Sequence, residues 1–265
     1  MDLPGYNQLK RCREGWMIYN RNDAYLGRSL DIYGEYSNGE VDVFRQVIPA
    51  GALVVEVGAN IGAHTVALAN IAGPHGAVMT FEPQRVLFQT LCGNVALNSI
   101  PNAYCRNEAV ADVHGAIKVA NLDPNQQTSF GSFNLEDFQD YAGETRPVVT
   151  LDSLPLPKCD FLKIDVEGME GKVIAGGGKM IRRHRPILYV ENDRDDSRSS
   201  LIAAVNALDY ALYWHLPPLY NPSNYARNPE NVFGHLRSTN MLCIPKERHM
   251  PINGLEHIDP AKFES

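Results

Sequence analysis

Five stretches of the chain end in side chains whose types and spacing suit chemistry. Residues 54 to 65 read VVEVGANIGAHT, an apolar run that stops on Glu56 and turns through Gly58, Asn60 and Gly62. Twenty residues past Gly62 a second apolar run ends FEP, at Glu82 and Pro83. A third ends at Asn107 and Glu108. A fourth reads LKIDVEG, with Asp165 and Glu167, followed by Glu170, and a fifth ends YVEND, at Glu191. A carboxylate carried to the end of an apolar strand can accept hydrogen bonds from hydroxyls, move a proton, or hold a hard cation.

The first turn is of the kind that receives a nucleotide. In the dinucleotide fingerprint GxGxxG the middle glycine lets the backbone approach a pyrophosphate, and here that position is Asn60. Glu56 beside it would repel an anionic pyrophosphate at short range. Both features point to a cofactor with no phosphate and a positive centre, which describes S-adenosylmethionine. Glu82 stands where an acidic residue accepts hydrogen bonds from ribose hydroxyls. NAD-binding proteins share that device, so Glu56 with Asn60 makes the distinction. Asn107 or Glu108 would hold the adenine edge, or else end a strand in solvent. Asp165 and Glu167 face the same crevice, whereas Glu170 at a helix start is favoured by the helix dipole alone. With Glu191, Asp165 and Glu167 offer oxygen ligands to Mg²⁺ or Ca²⁺. They can instead deprotonate a substrate hydroxyl or bind the amino group of the cofactor. Paired acids are common in sites without metals, and no metal is expected here.

The elements that position these residues follow from periodicity. From residue 53 onward short β-branched runs (ALVVEV, AVMTFEP, NAYCRNEAV, DFLKIDVEG, PILYVEN) alternate with helical stretches such as AHTVALANIA, RVLFQTLCGNVALN and SLIAAVNALDY, and YALYWHL and TNMLCIP complete the set. Strands separated by helices predict an α/β fold with a doubly wound, mostly parallel sheet, and ligands of such sheets lie outside the carboxyl ends of the strands. Residues 1–50 are mixed and aromatic and read as an N-terminal cap, with an amphipathic helix through Val41, Phe44, Val47 and Ile48. Residues 51–247 form the main domain and 248–265 a tail. Two polar stretches, 121–147 and 216–239, read as long loops, and the second either covers the site or is a variable surface loop.

The chain resembles the FkbM family of S-adenosylmethionine-dependent methyltransferases over roughly residues 25 to 245, through YGEYSNGEVDVF, VVEVGANIGAHTVALA, FEPQ, LDSLPLPKCDFLKIDVEGMEGKVIAGG and PILYVEN, in that order. The resemblance implies the Rossmann-like class I methyltransferase fold, a seven-stranded sheet with one antiparallel strand near an edge. It implies O-methylation, often of sugars or secondary metabolites. It places Glu56, Gly58, Asn60 and Gly62 on the cofactor, Glu82 on the ribose, and Asp165 and Glu167 at the reaction centre. Tyr33, Glu35 and Ser37 fall in an upstream motif that covers the cofactor.

Methyl transfer is an in-line displacement, so alignment of the acceptor with the methyl is the main requirement. A hydroxyl acceptor also benefits from a base, for which Asp165 or Glu167 is the first candidate, with His215 and His235 as alternatives in the usual pKa range. Trp214, Tyr220, Tyr225 and Phe233 would form a platform for a flat or sugar substrate or else pack in the core, which for Trp214 is the favoured reading.

Formal net charge is −7, and the one dense basic cluster, KMIRRHR at 179–185, reads as a solvated helix end, which argues against nucleic acid as substrate. Five cysteines with no CxxC spacing give neither a disulfide framework nor a zinc knuckle. No apolar run approaches the length that spans a bilayer, and no signal peptide is visible. A cytoplasmic protein acting on a hydroxylated small molecule, with S-adenosylhomocysteine as its second product, is the expectation, and a homodimer is left open. The rival readings are a scaffold that has kept the fold without catalysis and an NAD-dependent oxidoreductase. Nitrogen methylation is disfavoured because DVEG stands where many amino-methyltransferases carry an NPPY-type tetrapeptide.

Overall fold

The computed structural model describes residues 5–131, 143–250 and 252–263. The N-terminal lobe is a hairpin of β1 (Asn7–Arg11) and β2 (Trp16–Asn20), followed by α1 (Leu26–Tyr33) and α2 (Asn38–Val47). α2 is the helix expected from the Val41, Phe44, Val47 spacing, and those three residues are buried together with Glu40. The main body then alternates β3 (Leu53–Val57), α3 (Ala63–Ala72), β4 (Ala77–Phe81), α4 (Arg85–Leu97) and β5 (Ala103–Arg106). After a small side sheet come β9 (Phe161–Ile164), α5 (Glu170–Gly176), α6 (Gly178–His184), β10 (Ile187–Glu191), α7 (Arg198–Asn206), β11 (Tyr210–His215) and β12 (Asn240–Pro245).

In space the strands run β11-β12-β10-β9-β3-β4-β5. The pairs from β10 through β5 are parallel, and β12 runs antiparallel to both of its neighbours. This is the seven-stranded arrangement expected. An eighth strand, β13 (Glu256–His257), extends it by pairing with Tyr213 and Trp214, so the C-terminal segment is built into the sheet edge. The chain starts in the middle at β3, moves outward to β5, and returns to β9 on the other side of β3. The switch point between β3 and β9 is where a doubly wound sheet opens its crevice.

Both faces of the sheet are covered, and consecutive strand residues therefore go to opposite cores. Val54 and Phe161 pack with Phe44, Leu68 and Ala72 on one side, whereas Val55 and Leu162 pack with Val173, Ile202 and Val205 on the other. That double burial is why these strands read as continuous apolar runs.

Two features were not visible in the sequence. The run 103–111 breaks at Asn107 and Glu108 into β5 and a separate β6 (Ala109–Val110). β6 joins β7 (Gly115–Ala120) and β8 (Gly143–Val149) in a three-stranded sheet of order β6-β8-β7. β8 takes the end of the polar stretch 121–147, residues 132–142 of which lie outside the described set.

Candidate active site

A cavity of about 560 Å³ opens at the carboxyl ends of β3, β4, β9 and β10. The N-terminal lobe walls it with Tyr25, Leu26, Tyr36 and Glu40, and the 216–239 loop covers it with Leu219, Leu236 and Arg237. Of the residues expected from sequence, Glu56, Gly58, Asn60, Glu82, Pro83, Asp165 and Glu167 line it.

The strand register brings these groups together. Glu56 on β3 pairs with Thr80 on β4 and Lys163 on β9, and directly opposed residues point to the same face. Glu56 Oε2 accordingly accepts from Thr80 Oγ1 at 2.9 Å, and from Thr65 Oγ1 of α3 at 2.5 Å. Its Oε1 is buried and has no hydrogen-bond partner among the described residues. Burial pushes the Glu56 carboxyl above its ordinary range, against the pull of Lys163.

The loop after β3 takes three left-handed residues, Gly58 (φ 86°), Asn60 (φ 51°) and Gly62 (φ 84°). A Cβ at Gly58 would collide with the Asp165 carbonyl oxygen, so glycine there lets β3 and β9 close on each other. Asn60 fits because asparagine tolerates this conformation. Its backbone N–H donates to Glu82 Oε2 at 2.9 Å, and Gln84 N donates to Glu82 Oε1 at 2.8 Å. Burial raises the Glu82 carboxyl to about 7 despite these two donors.

Lys163, which sequence reasoning passed over, is the hub of the site. It is 2% exposed, and its Nζ donates to Asp165 Oδ2 at 2.7 Å. Burial opposes its charge, but Asp165, Glu56 and Glu40 together hold the ammonium above its ordinary pKa. Asp165 lies below its ordinary value: burial works against ionisation and the Lys163 ammonium outweighs it. The signal was present, since a lysine inside the apolar run DFLKID is buried and such charges must be paired. Glu40 was missed as well. It lies on α2, is 4% exposed, and accepts from Ser37 Oγ at 2.7 Å. His64, on the first turn of α3, is packed between Phe44 and Tyr36, each ring 5.5 Å away. Burial first, then Lys163, lowers it to about 3, so its ring is neutral.

Glu167 holds a left-handed conformation (φ 56°) that non-glycine residues seldom adopt. Its Oε2 accepts from the Arg194 guanidinium at 2.8 Å. Burial, and then the Asp165 charge, raise its carboxyl to about 7. Glu191 ends β10 beside them, also on the cavity. Glu170 turns away to accept from Val166 N and Gly168 N, closing the DVEG turn.

The other expected residues lie outside the cavity lining. Gly62 caps α3 behind the loop. Glu108 pairs with Arg106 at 2.8 Å, whereas Asn107 Nδ2 donates to the Glu82 and Pro83 carbonyls and fixes the FEP turn. Tyr33, Glu35 and Ser37 hold the cap together and to the long loop. Tyr33 Oη donates to Glu230 O and accepts from Val232 N, each at 2.8 Å. Glu35 accepts from Arg13, Asn221 and the Tyr225 N–H. His215 Nδ1 is 2.7 Å from Tyr189 Oη, buried under the sheet end, and burial lowers its pKa. His235 is exposed on the loop. Tyr220 and Phe233 pack on Tyr33, and Trp214 packs on Phe263. None of these aromatics, nor Tyr225, lines the cavity.

The methyltransferase FkbM domain model matches residues 56–212, from the glycine loop through β11. The chain belongs to the FkbM methyltransferase family. Its similarity to solved structures extends to the fold. A SAM-dependent O-methyltransferase from Thermotoga maritima superposes with TM-score 0.50 at 12% identity, over 91% of this chain and 78% of that one. Methyltransferase FkbM from Methylobacillus flagellatus gives TM-score 0.48 at 16% identity over 73% of this chain, which spans 44% of that protein's length. No curated protein matches the chain. Among the described residues no helix is long and apolar enough to cross a membrane.

Proposed function

We propose that this FkbM methyltransferase domain uses S-adenosylmethionine to methylate a hydroxyl of a sugar or other small metabolite. The observation that carries the cofactor is the acidic loop end. Buried Glu56 has one oxygen without a partner among the described residues, Glu82 turns its carboxylate to the same cavity, and the buried cation beside them, Lys163, is already engaged by Asp165. That environment suits a sulfonium and an ammonium and disfavours a dinucleotide. The cavity volume falls within the range of about 300–1,000 Å³ usual for small-molecule sites. Glu82 would hold the ribose hydroxyls, and the Gly58–Gly62 loop the amino-acid tail.

The acceptor half of the cavity is the Asp165, Glu167 and Arg237 side. As oxygen attacks the methyl, the S–C bond breaks and the sulfur keeps the electron pair, leaving a neutral thioether. The hydroxyl proton passes to the carboxylate pair, and Glu167, with its carboxyl near 7, is better matched to this than Asp165, which Lys163 keeps ionised. His215 is a weaker candidate because Tyr189 occupies it away from the cavity.

Calorimetry with S-adenosylmethionine and S-adenosylhomocysteine tests the reading. Micromolar binding of either supports the cofactor assignment, and methyl transfer to an acceptor removes the scaffold alternative. No binding by folded protein ends the proposal. If Asp165→Asn and Glu167→Gln both keep turnover once an acceptor is known, neither carboxylate takes the proton.

A further inference from the structure

Three cationic side chains line the cavity among the described residues, Lys163, Arg194 and Arg237. Two of them are engaged within the site, Lys163 by Asp165 at 2.7 Å and Arg194 by Glu167 at 2.8 Å. Arg237 is exposed, and its guanidinium makes no hydrogen bond or ion pair with any described residue. Its backbone is nonetheless fixed. Arg237 forms an antiparallel bridge with Pro218 across the base of the 216–239 loop. Leu219 N donates to Leu236 O at 3.1 Å on one side of that bridge, and Ser238 N donates to Pro217 O at 3.0 Å on the other. Leu236 N also donates to Phe233 O, which closes the turn leading into the bridge. A second arginine stands on the same turn. Arg28 of α1 lies over the Phe233 ring, 5.9 Å from its centroid, and it too is exposed with no acidic partner among the described residues.

Apolar surface flanks the free charge. Tyr25 is 41% exposed and Leu236 47% exposed, and both line the cavity. Large apolar side chains left in water at a cavity are covered when the body of a ligand lies on them. The charges are also arranged by depth. The carboxylates of Glu56, Glu82 and Asp165 belong to the strand ends, where the cofactor reading uses them, whereas Arg237 comes from the loop that covers the cavity. A guanidinium is a planar fork that pairs with a carboxylate or a phosphate through two parallel hydrogen bonds. A neutral sugar offers that fork no anionic partner.

We infer that the acceptor hydroxyl is carried by an anion, a hydroxylated carboxylic acid or phosphate ester with an apolar or flat body, and that Arg237 takes its charged group at the cavity mouth. The inference deepens the methyltransferase reading and rests on it. The body of the acceptor lies on Tyr25 and Leu236, its hydroxyl reaches the Asp165 and Glu167 side, and Arg28 adds to the positive rim that draws the anion in. Arg237 is therefore a specificity residue, and its loss acts on acceptor affinity and leaves the chemical step alone.

The test incubates the full-length chain and tritiated-methyl S-adenosylmethionine with a small-molecule extract of the organism that carries the protein, and divides the labelled products on an anion exchanger. The expected result is label in the retained pool. With dilute extract Arg237→Gln should lower that label roughly tenfold, the worth of a charge-assisted pair. Concentrated extract should restore it, as a change in KM requires, and Arg237→Lys should keep part of the wild-type rate. S-adenosylhomocysteine affinity should stay within about threefold in both variants, since the cofactor does not meet this side chain. Phosphatase treatment separates the two sources of charge, because a phosphate ester loses its retention and a carboxylic acid keeps it. Label confined to the unretained pool overturns the proposal, as does wild-type labelling by Arg237→Gln. No label in either pool, from protein that binds S-adenosylhomocysteine, also overturns it and leaves the cofactor assignment standing. Failure to bind S-adenosylhomocysteine at all removes the methyltransferase reading instead.

Discussion

At the scale of single residues, one buried lysine sets the electrostatics of the cavity. Lys163 faces Asp165, Glu56 and Glu40 with almost no water present. Removing one partner from a buried charge cluster typically costs about 3–5 kcal/mol, because the remaining charges lose their compensation. Lys163→Met is expected to lower stability by that amount in urea unfolding at neutral pH and to lose less at acid pH, where the abandoned carboxyls take up protons. Equal losses at both pH values would show that packing, not charge, dominates. Glu82 gives a second prediction. Its carboxyl is raised to about 7 by burial, and only the ionised form accepts two hydroxyl hydrogen bonds. Affinity for S-adenosylhomocysteine should therefore rise as pH increases through 7 and level off above it. Glu82→Gln should weaken binding and flatten that dependence, and calorimetry at several pH values reads both.

At the scale of elements, the turn between α1 and α2 is a clamp on the long loop. Tyr33 and Glu35 were expected at the cofactor, but their polar atoms go to the backbone and side chains of residues 221–232. The Ala226 N–H also donates to Tyr33 O, and Arg13 donates to Ser223 O. Tyr33→Phe leaves one N–H and one carbonyl unpaired and should cost about 1–3 kcal/mol. Together with Glu35→Gln it should raise hydrogen exchange and proteolytic cutting between residues 216 and 239 while β3 and β9 stay protected. Unchanged exchange in the loop would mean that packing on Phe233 and Tyr220 holds it unaided. The same turn shows what the sequence could and could not disclose. β3, β4, β9 and β10 were legible because double burial makes them unbroken apolar runs, and their acids were legible because each one ends a run. The partners of Tyr33 lie nearly two hundred residues away, and no local pattern encodes such a contact. β7 and β8 were hidden for a related reason: their side sheet is largely solvated, so GAIKVA and GETRPVV show little apolar alternation. Lys163 was legible in principle, as a charge in a fully buried strand, but its three acidic partners become visible only once the register places Glu56 across from it and α2 delivers Glu40.

At the scale of the whole molecule, the cavity is walled by parts of the chain far apart in sequence. Its walls come from α1 and α2, the loops after β3 and β4, the side sheet through Val119 and Ala120, and the 216–239 loop. A ligand that fills it bridges all of them and binds only the folded chain. Such a ligand at one hundred times its dissociation constant stabilises the native state by about 2.7 kcal/mol, and for a domain of this size that corresponds to a rise of roughly 5–10 °C in melting temperature. S-adenosylmethionine and S-adenosylhomocysteine should each give a shift of that order. NAD⁺ should give none, because its pyrophosphate would lie on a loop that carries Asn60 in place of the middle glycine, beside the Glu56 carboxyl. The comparison separates two cofactors that share an adenosine. A shift from adenosine alone as large as that from S-adenosylhomocysteine would show that the amino-acid end contributes nothing, and that the unpartnered oxygen of Glu56 does not meet the ligand's ammonium.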